Sequence, residues 1–146
     1  MTYCVFRLGD HLLAVDATRV QEVGGATRVT PVAGAPRGVA GVVTLRGEIL
    51  TALDLRLWFG MPAGAAAPAA TVVVRDEREP VCLLVDQICD VRGLDSSRRA
   101  PVPTTVENEA QSVVAGAYEL DDGVVLEIDA AALVESVAAD DRTERR

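Results

Sequence analysis

Side chains able to do chemistry are few in this chain and badly spaced for it. A single histidine, His11, stands beside Asp10 where the sequence reads as a hairpin turn, and a solvent-facing turn residue explains it better than a general base does. Three cysteines, Cys4, Cys82 and Cys89, are scattered with no CxxC pair. That spacing suits neither a disulfide framework nor a zinc site, and Cys82 and Cys89, set within apolar runs, read as small core residues. The acidic pairs are Asp86 with Asp90 and the doublet Asp121-Asp122. A metal needs several converging oxygens, whereas Asp-Asp-Gly is an ordinary turn sequence. No Gly-x-Ser-x-Gly elbow, Walker loop, GxGxxG, HExxH or EF-hand loop is present. No catalytic residue, metal or cofactor is therefore expected.

One residue stands out physically. Arg46 occupies a tight turn in which only the following Gly47 is expected to need a positive φ, while the matching turn later in the chain holds Asp121-Asp122. The turn itself does not demand arginine. A rigidly presented guanidinium suits an interface, because its planar fork makes paired hydrogen bonds. A solvated arginine in a weak ion pair with Glu48 or Glu22 fits the same residues.

The elements that must position these residues are strands. Thr2 to Leu8 alternates apolar and polar residues, Gly9-Asp10 turns, and His11 to Val15 returns to Asp16; Thr71 to Arg75, Asp76 to Pro80 and Val81 to Val85 repeat that order and end in Asp86. Apolar pieces follow both, Val20-Gln21-Glu22-Val23 and Ile88-Cys89-Asp90-Val91. A second unit is doubled as well. Gly41 to Leu45 turns at Arg46-Gly47 into Glu48 to Leu50 and on to Asp54, and Gly116 to Leu120 turns at Asp121 to Gly123 into Val124 to Leu126 and on to Asp129. The Asp closing each unit is placed to cap a short helix.

Two copies in the same order, about 2–60 and 71–137, imply a mainly β chain of two small pseudo-symmetric barrels that share one core. Met61 to Ala70 reads as a flexible joint, Asp95 to Gln111 as irregular, Leu133, Val134 and Val137 as a short C-terminal helix, and 139–146 as a solvated tail.

Composition narrows the function. With 146 residues, 49% hydrophobic and 25% charged, the chain is a folded domain, and 3% aromatics leave its core to Val, Leu, Ile and Ala. A net charge of −8 argues against nucleic acid and anionic membranes as partners. Without a signal-peptide layout or a long apolar run, a cytoplasmic location without membrane insertion is expected.

The quoted motifs carry a resemblance. Phe6-Arg7-Leu8-Gly9-Asp10, Ala14-Val15-Asp16, Val20-Gln21-Glu22-Val23, Thr30-Pro31-Val32, Gly38-Val39-Ala40-Gly41-Val42, Leu45-Arg46-Gly47-Glu48-Ile49, Leu53-Asp54-Leu55-Arg56, Leu83-Leu84-Val85-Asp86 and Gly116-Ala117-Tyr118-Glu119-Leu120 together resemble the CheW family of chemotaxis coupling proteins. Gly24-Gly25 and Thr44 depart from its usual pattern. The resemblance implies two intertwined five-stranded SH3-like β-barrels with a short C-terminal helix, within one domain over 1–138. It implies an adaptor without enzymatic activity that bridges the cytoplasmic tip of chemoreceptors and the regulatory domain of the histidine kinase CheA, at membrane receptor arrays, and that can self-associate in rings. A pathway controlling surface motility or development is the alternative output, and a small enzyme or ligand-binding barrel is the alternative class. Carried over by position, receptor contact falls on Val20, Glu22, Gly41 and Arg46, and kinase contact on Val85, Val91 and Gly93.

Overall fold

Period-two alternation becomes strand β1 (Thr2–Leu8), which is buried on both faces: Tyr3 and Val5 point to one cluster, Cys4, Phe6 and Leu8 to another. In this computed structural model, which describes residues 1–62, 69–77, 79–104, 106, 108–121 and 123–144, β1 is followed by β2 (His11–Asp16), β3 (Val20–Gly24), β4 (Val39–Leu45) and β5 (Glu48–Asp54). The second half supplies β6 (Ala70–Arg75), β7 (Pro80–Val85), β8 (Gln87–Gly93), β9 (Arg99–Ala100), β10 (Val114–Leu120) and β11 (Gly123–Ile128), with helices α1 (Asn108–Gln111) and α2 (Ala130–Glu144).

The strands form two sheets, ordered β8-β1-β2-β11-β10-β9 and β3-β6-β7-β5-β4. Exchanging β1 for β6, β2 for β7, β3 for β8, β4 for β10 and β5 for β11 turns one order into the other, apart from the short β9 at the edge of the six-stranded sheet. Each sheet therefore draws on both halves of the chain, and the two sheets are intertwined. The halves are joined by the antiparallel pairs β1 with β8 and β3 with β6 and by the parallel pairs β2 with β11 and β5 with β7, the last two of which need a long crossover and receive it from the exchange. Bulges recur at equivalent places: Gln21 in β3 and Cys89 in β8 are skipped in their ladders, as are Ala40 in β4 and Ala115 in β10.

Between the sheets lies one shared core that includes Phe6, Leu13, Leu53, Trp58, Leu83 and Leu133, with a smaller cluster inside each sheet. Fully burying each such side chain contributes about 1.5–3 kcal/mol. Trp58 lies directly beneath Gly38, where any Cβ would collide with its ring. Asp54 and Asp129 cap as expected, accepting the backbone N–H of Arg56 and Ala132 at 3.1 Å each.

Four expectations are corrected by packing. His11 is not a free turn residue: it is half-buried in β2, its ring 4.9 Å from that of Phe59. Cys82 is buried but Cys89 is exposed, because it lies on the edge strand β8, most of whose residues face solvent. The 95–111 stretch contains β9 and α1, since β10 offers an edge to which Arg99 and Ala100 pair. The final helix continues through Glu144, into the region read as tail. Of the joint read between Met61 and Ala70, residues 63–68 lie outside the described residues.

Candidate functional site

Glu22 and Arg46 come from opposite ends of one sheet. Glu22 lies on β3, and Arg46 sits in the turn between β4 and β5, so the flat strand order separates them. Curling of the sheet brings Arg46 Nε to 3.3 Å from Glu22 Oε2. Both turn residues are left-handed, Arg46 at φ 53° and Gly47 at φ 79°, so the expectation that only glycine needs positive φ is corrected. A two-residue hairpin loop with both φ positive matches the twist of its strands, and Arg46 accepts that strain where Asn or Gly is usual. Its side chain is 84% exposed and that of Glu22 26%, so the acid is anchored and the guanidinium remains presented to solvent.

The remaining receptor-contact candidates are distributed differently. Glu22 pairs with Val73 on the face of the inner cluster containing Val43, Leu50 and Cys82, whereas Val20 pairs with Val74 on the face of the shared core. The bulge at Gln21 thus turns two residues that a regular strand would align onto opposite faces. Beneath Glu22, burial first and the Glu22 charge second push the Cys82 thiol up to about 11. Gly41, at φ 150°, lies against the Thr30 carbonyl, where any Cβ would collide with the backbone. Thr30 and Val42 exchange backbone hydrogen bonds of 2.8 and 2.9 Å across that contact. Gly41 also lines an apolar groove of about 390 Å³ shared with Pro36, Val39, Val81, Val134 and Val137.

The three kinase-contact candidates separate as well. Val85 is 1% exposed within the shared core, so its side chain lies behind the surface and not on it. Val91 is 62% exposed on the edge strand β8, and Gly93 closes that strand opposite Thr2. A Cβ at Gly93 would meet nothing closer than the Met1 carbonyl oxygen at 3.8 Å, so the position is open. Val91 has a counterpart, since the strand exchange that relates the sheets maps Val23 onto Val91 and Ile49 onto Val124. All four are exposed, at 49%, 62%, 71% and 43% for Val23, Val91, Ile49 and Val124. Each barrel carries the same two solvent-facing apolar positions.

Two polar constellations escaped the sequence reading. At the junction of the sheets, Arg56 Nη2 donates to both oxygens of Asp86 at 2.5 Å, and the Gly9 backbone N–H donates to Asp86 Oδ2 at 2.6 Å. Burial alone would raise the Asp86 carboxyl, but the Gly9 N–H and the Arg56 guanidinium outweigh it and hold the group below the usual range. Its recurrence in two Val-Asp units was the available signal. In the other barrel, Arg99 donates to the Tyr118 hydroxyl at 3.1 Å, to Glu127 at 3.2 Å and to the Ala115 carbonyl at 2.8 Å, while the Tyr3 hydroxyl donates to Glu127 at 3.3 Å. Burial, then the Tyr118 hydrogen bond, drive the Tyr3 phenol well above its ordinary value. No local pattern links these five residues.

Among the described residues, no group of three or more His, Cys, Asp or Glu side chains is placed to hold a metal ion, and no helix is long and apolar enough to cross a membrane.

Residues 2–138 match the family model described as the CheW-like domain. The chain is 30% identical over 129 residues to the probable chemotaxis protein CheW of Rhizobium etli, covering 88% of this chain and 83% of that protein. Against the chemotaxis protein CheW of Klebsiella aerogenes it is 28% identical over 135 residues, covering 92% and 81%. The crystal structure of the scaffolding protein TtCheW from Thermoanaerobacter tengcongensis shares the fold with a TM-score of 0.74 at 26% identity, covering 87% of both chains. With the family model spanning residues 2–138, the chain belongs to the CheW-like domain family.

Proposed function

We propose that this chain is a cytoplasmic adaptor that couples the tips of chemoreceptors to the regulatory domain of the histidine kinase CheA, and that it works by binding without making or breaking bonds. The observation that carries the reading is the pair of equivalent exposed positions, Val23 with Ile49 on one barrel and Val91 with Val124 on the other. Exposed apolar side chains at matched places on two barrels supply two docking faces, the minimum a coupling protein needs.

On the receptor side, Arg46 is the presented anchor and Glu22 holds it; Gly41 and half-buried Val20 support the surface from behind. A receptor tip is a helical hairpin, and apolar contact rimmed by a guanidinium fits such a helix face. On the kinase side, Val91 and Gly93 form the contact and Val85 supports it from within the core. Association into rings follows if both faces engage CheW-like partners in turn.

Co-sedimentation with receptor signalling fragments and purified CheA tests the reading. A ternary pellet that requires all three proteins is the expected result. A chain that stays in the supernatant with either partner alone and with both together overturns it.

A further inference from the structure

The two barrel ends resemble each other in shape but not in charge. Where the β4–β5 turn carries Arg46, the equivalent β10–β11 turn carries Asp121; where β3 carries Gly24, the equivalent position of β8 carries Arg92. The second end has thus exchanged its turn cation for one on the strand. A further cation comes from outside the exchanged strands: Arg98, in the 3-10 turn Ser96–Arg98, reaches Glu119 and Asp121 at the tip. Arg92 and Arg98 face one cleft of about 280 Å³, lined also by Gly93, Asp95, Leu120 and Asp121.

The acids in this cleft leave the guanidinium groups available. Asp95 is engaged as a cap, accepting the Ser97 backbone N–H at 2.9 Å. Asp121 lies 3.4 Å from Arg98 Nη1, but its side chain is 98% exposed, so that pair is screened and readily exchanged. Arg98 also donates to the Glu119 carbonyl at 3.4 Å, a long bond that fixes its direction. Among the described residues, the Arg92 guanidinium has no acceptor. Gly93, two residues beyond the exposed Val91 on the same edge strand, lines this cleft, while the Val91 side chain lies on the other face of β8.

We propose that the Arg92–Arg98 cleft receives a carboxylate side chain from the kinase regulatory domain as that domain docks along the edge strand β8. This rests on the reading of β8 as the kinase face. The net charge of −8 repels an acidic partner at long range, so a local pair of guanidinium groups is what makes an acidic contact favourable here. Charges at the rim of an interface set its salt dependence and its selectivity among partners. Asp121 then acts as an internal competitor that occupies Arg98 until the partner arrives.

Calorimetric titration of the full chain with the purified regulatory domain, at low and moderate salt, tests this. The double variant Arg92→Gln/Arg98→Gln is expected to bind about tenfold more weakly and to lose most of the salt dependence. Asp121→Asn, which frees Arg98, is expected to bind at least as tightly as the native chain. Circular dichroism checks that each variant is folded, and Arg92→Gln alone serves if the double variant is not. Weakening by Asp121→Asn, or unchanged affinity in the arginine variants while Val91→Glu abolishes binding, overturns the cleft but leaves the kinase face standing. Absence of binding by the native chain, or indifference to Val91→Glu, overturns both.

Discussion

Arg46 Nε reaches Glu22 Oε2 at 3.3 Å across the two terminal strands of one sheet, so this ion pair ties the sheet's free edges together at a turn. An exposed pair of this kind adds only about 0.2–1 kcal/mol, so its stabilising effect is small compared with what it does to the orientation of Arg46. The acid holds a guanidinium that the turn already presents rigidly.

Arg46→Glu is therefore expected to weaken receptor binding sharply while changing unfolding free energy by no more than about 0.5 kcal/mol, the usual range at surface positions. Thermal melts and receptor co-sedimentation, run on the same preparation, check it. Loss of fold with no partner-specific defect would identify Arg46 as structural.

Arg46→Gly separates strain from function. A non-glycine residue at φ 53° is held in the left-handed region, and glycine relieves that strain, so the variant is expected to gain roughly 0.5–1 kcal/mol and still lose receptor binding. Denaturant unfolding reads the gain. A destabilised variant contradicts the strain argument.

Val85 and Val91 are expected to respond in opposite ways. Val85→Ala opens a cavity in the shared core and should cost roughly 2 kcal/mol, with kinase affinity retained by the folded fraction. Val91→Glu and Gly93→Trp change exposed positions, so they should leave stability nearly untouched and weaken kinase association more than receptor association. Equal loss of both partners in the surface variants would show that the two faces are not separate.

Asp86 predicts an acid-sensitive junction. Its folded pKa is depressed, so its contribution to stability is complete above the unfolded carboxylate value of about 3.9 and is lost as pH falls through the lower folded value. Asp86→Asn should remove this contribution and flatten the stability profile in that window. Trp58, the single tryptophan and buried in the shared core, reports unfolding by fluorescence. An unchanged acid profile in the variant would place the sensitivity elsewhere.

Gly41→Ala is expected to destabilise by about 2 kcal/mol or more, because the added methyl meets the Thr30 backbone and the φ of 150° disfavours it. Proteolysis rates of the 30–42 region check this. Receptor binding measured below the melting point should fall less than in Arg46→Glu, which marks Gly41 as support for the surface.

Local patterning was enough to determine the strands, the two doubled units and the capping aspartates, because alternation, turn residues and caps act over only a few positions. Pseudo-symmetry was legible for the same reason: Val-Asp at the end of a return strand and the Gly-led hairpins recur in order. Arg46 could be picked out by comparison with Asp121, since an arginine at a turn that does not require one is visible in the chain itself. The bulges at Gln21 and Cys89 were not legible, although the first decides that Val20 and Glu22 diverge. A bulge depends on what the neighbouring strand offers, and that strand lies about 50 positions away for Gln21 and more than 80 for Cys89. The exchange of strands between halves decided the rest. It buried Val85, set Asp86 between Arg56 and Gly9, and closed Glu22 onto Arg46, because those contacts exist only once each sheet has been completed by the other half of the chain.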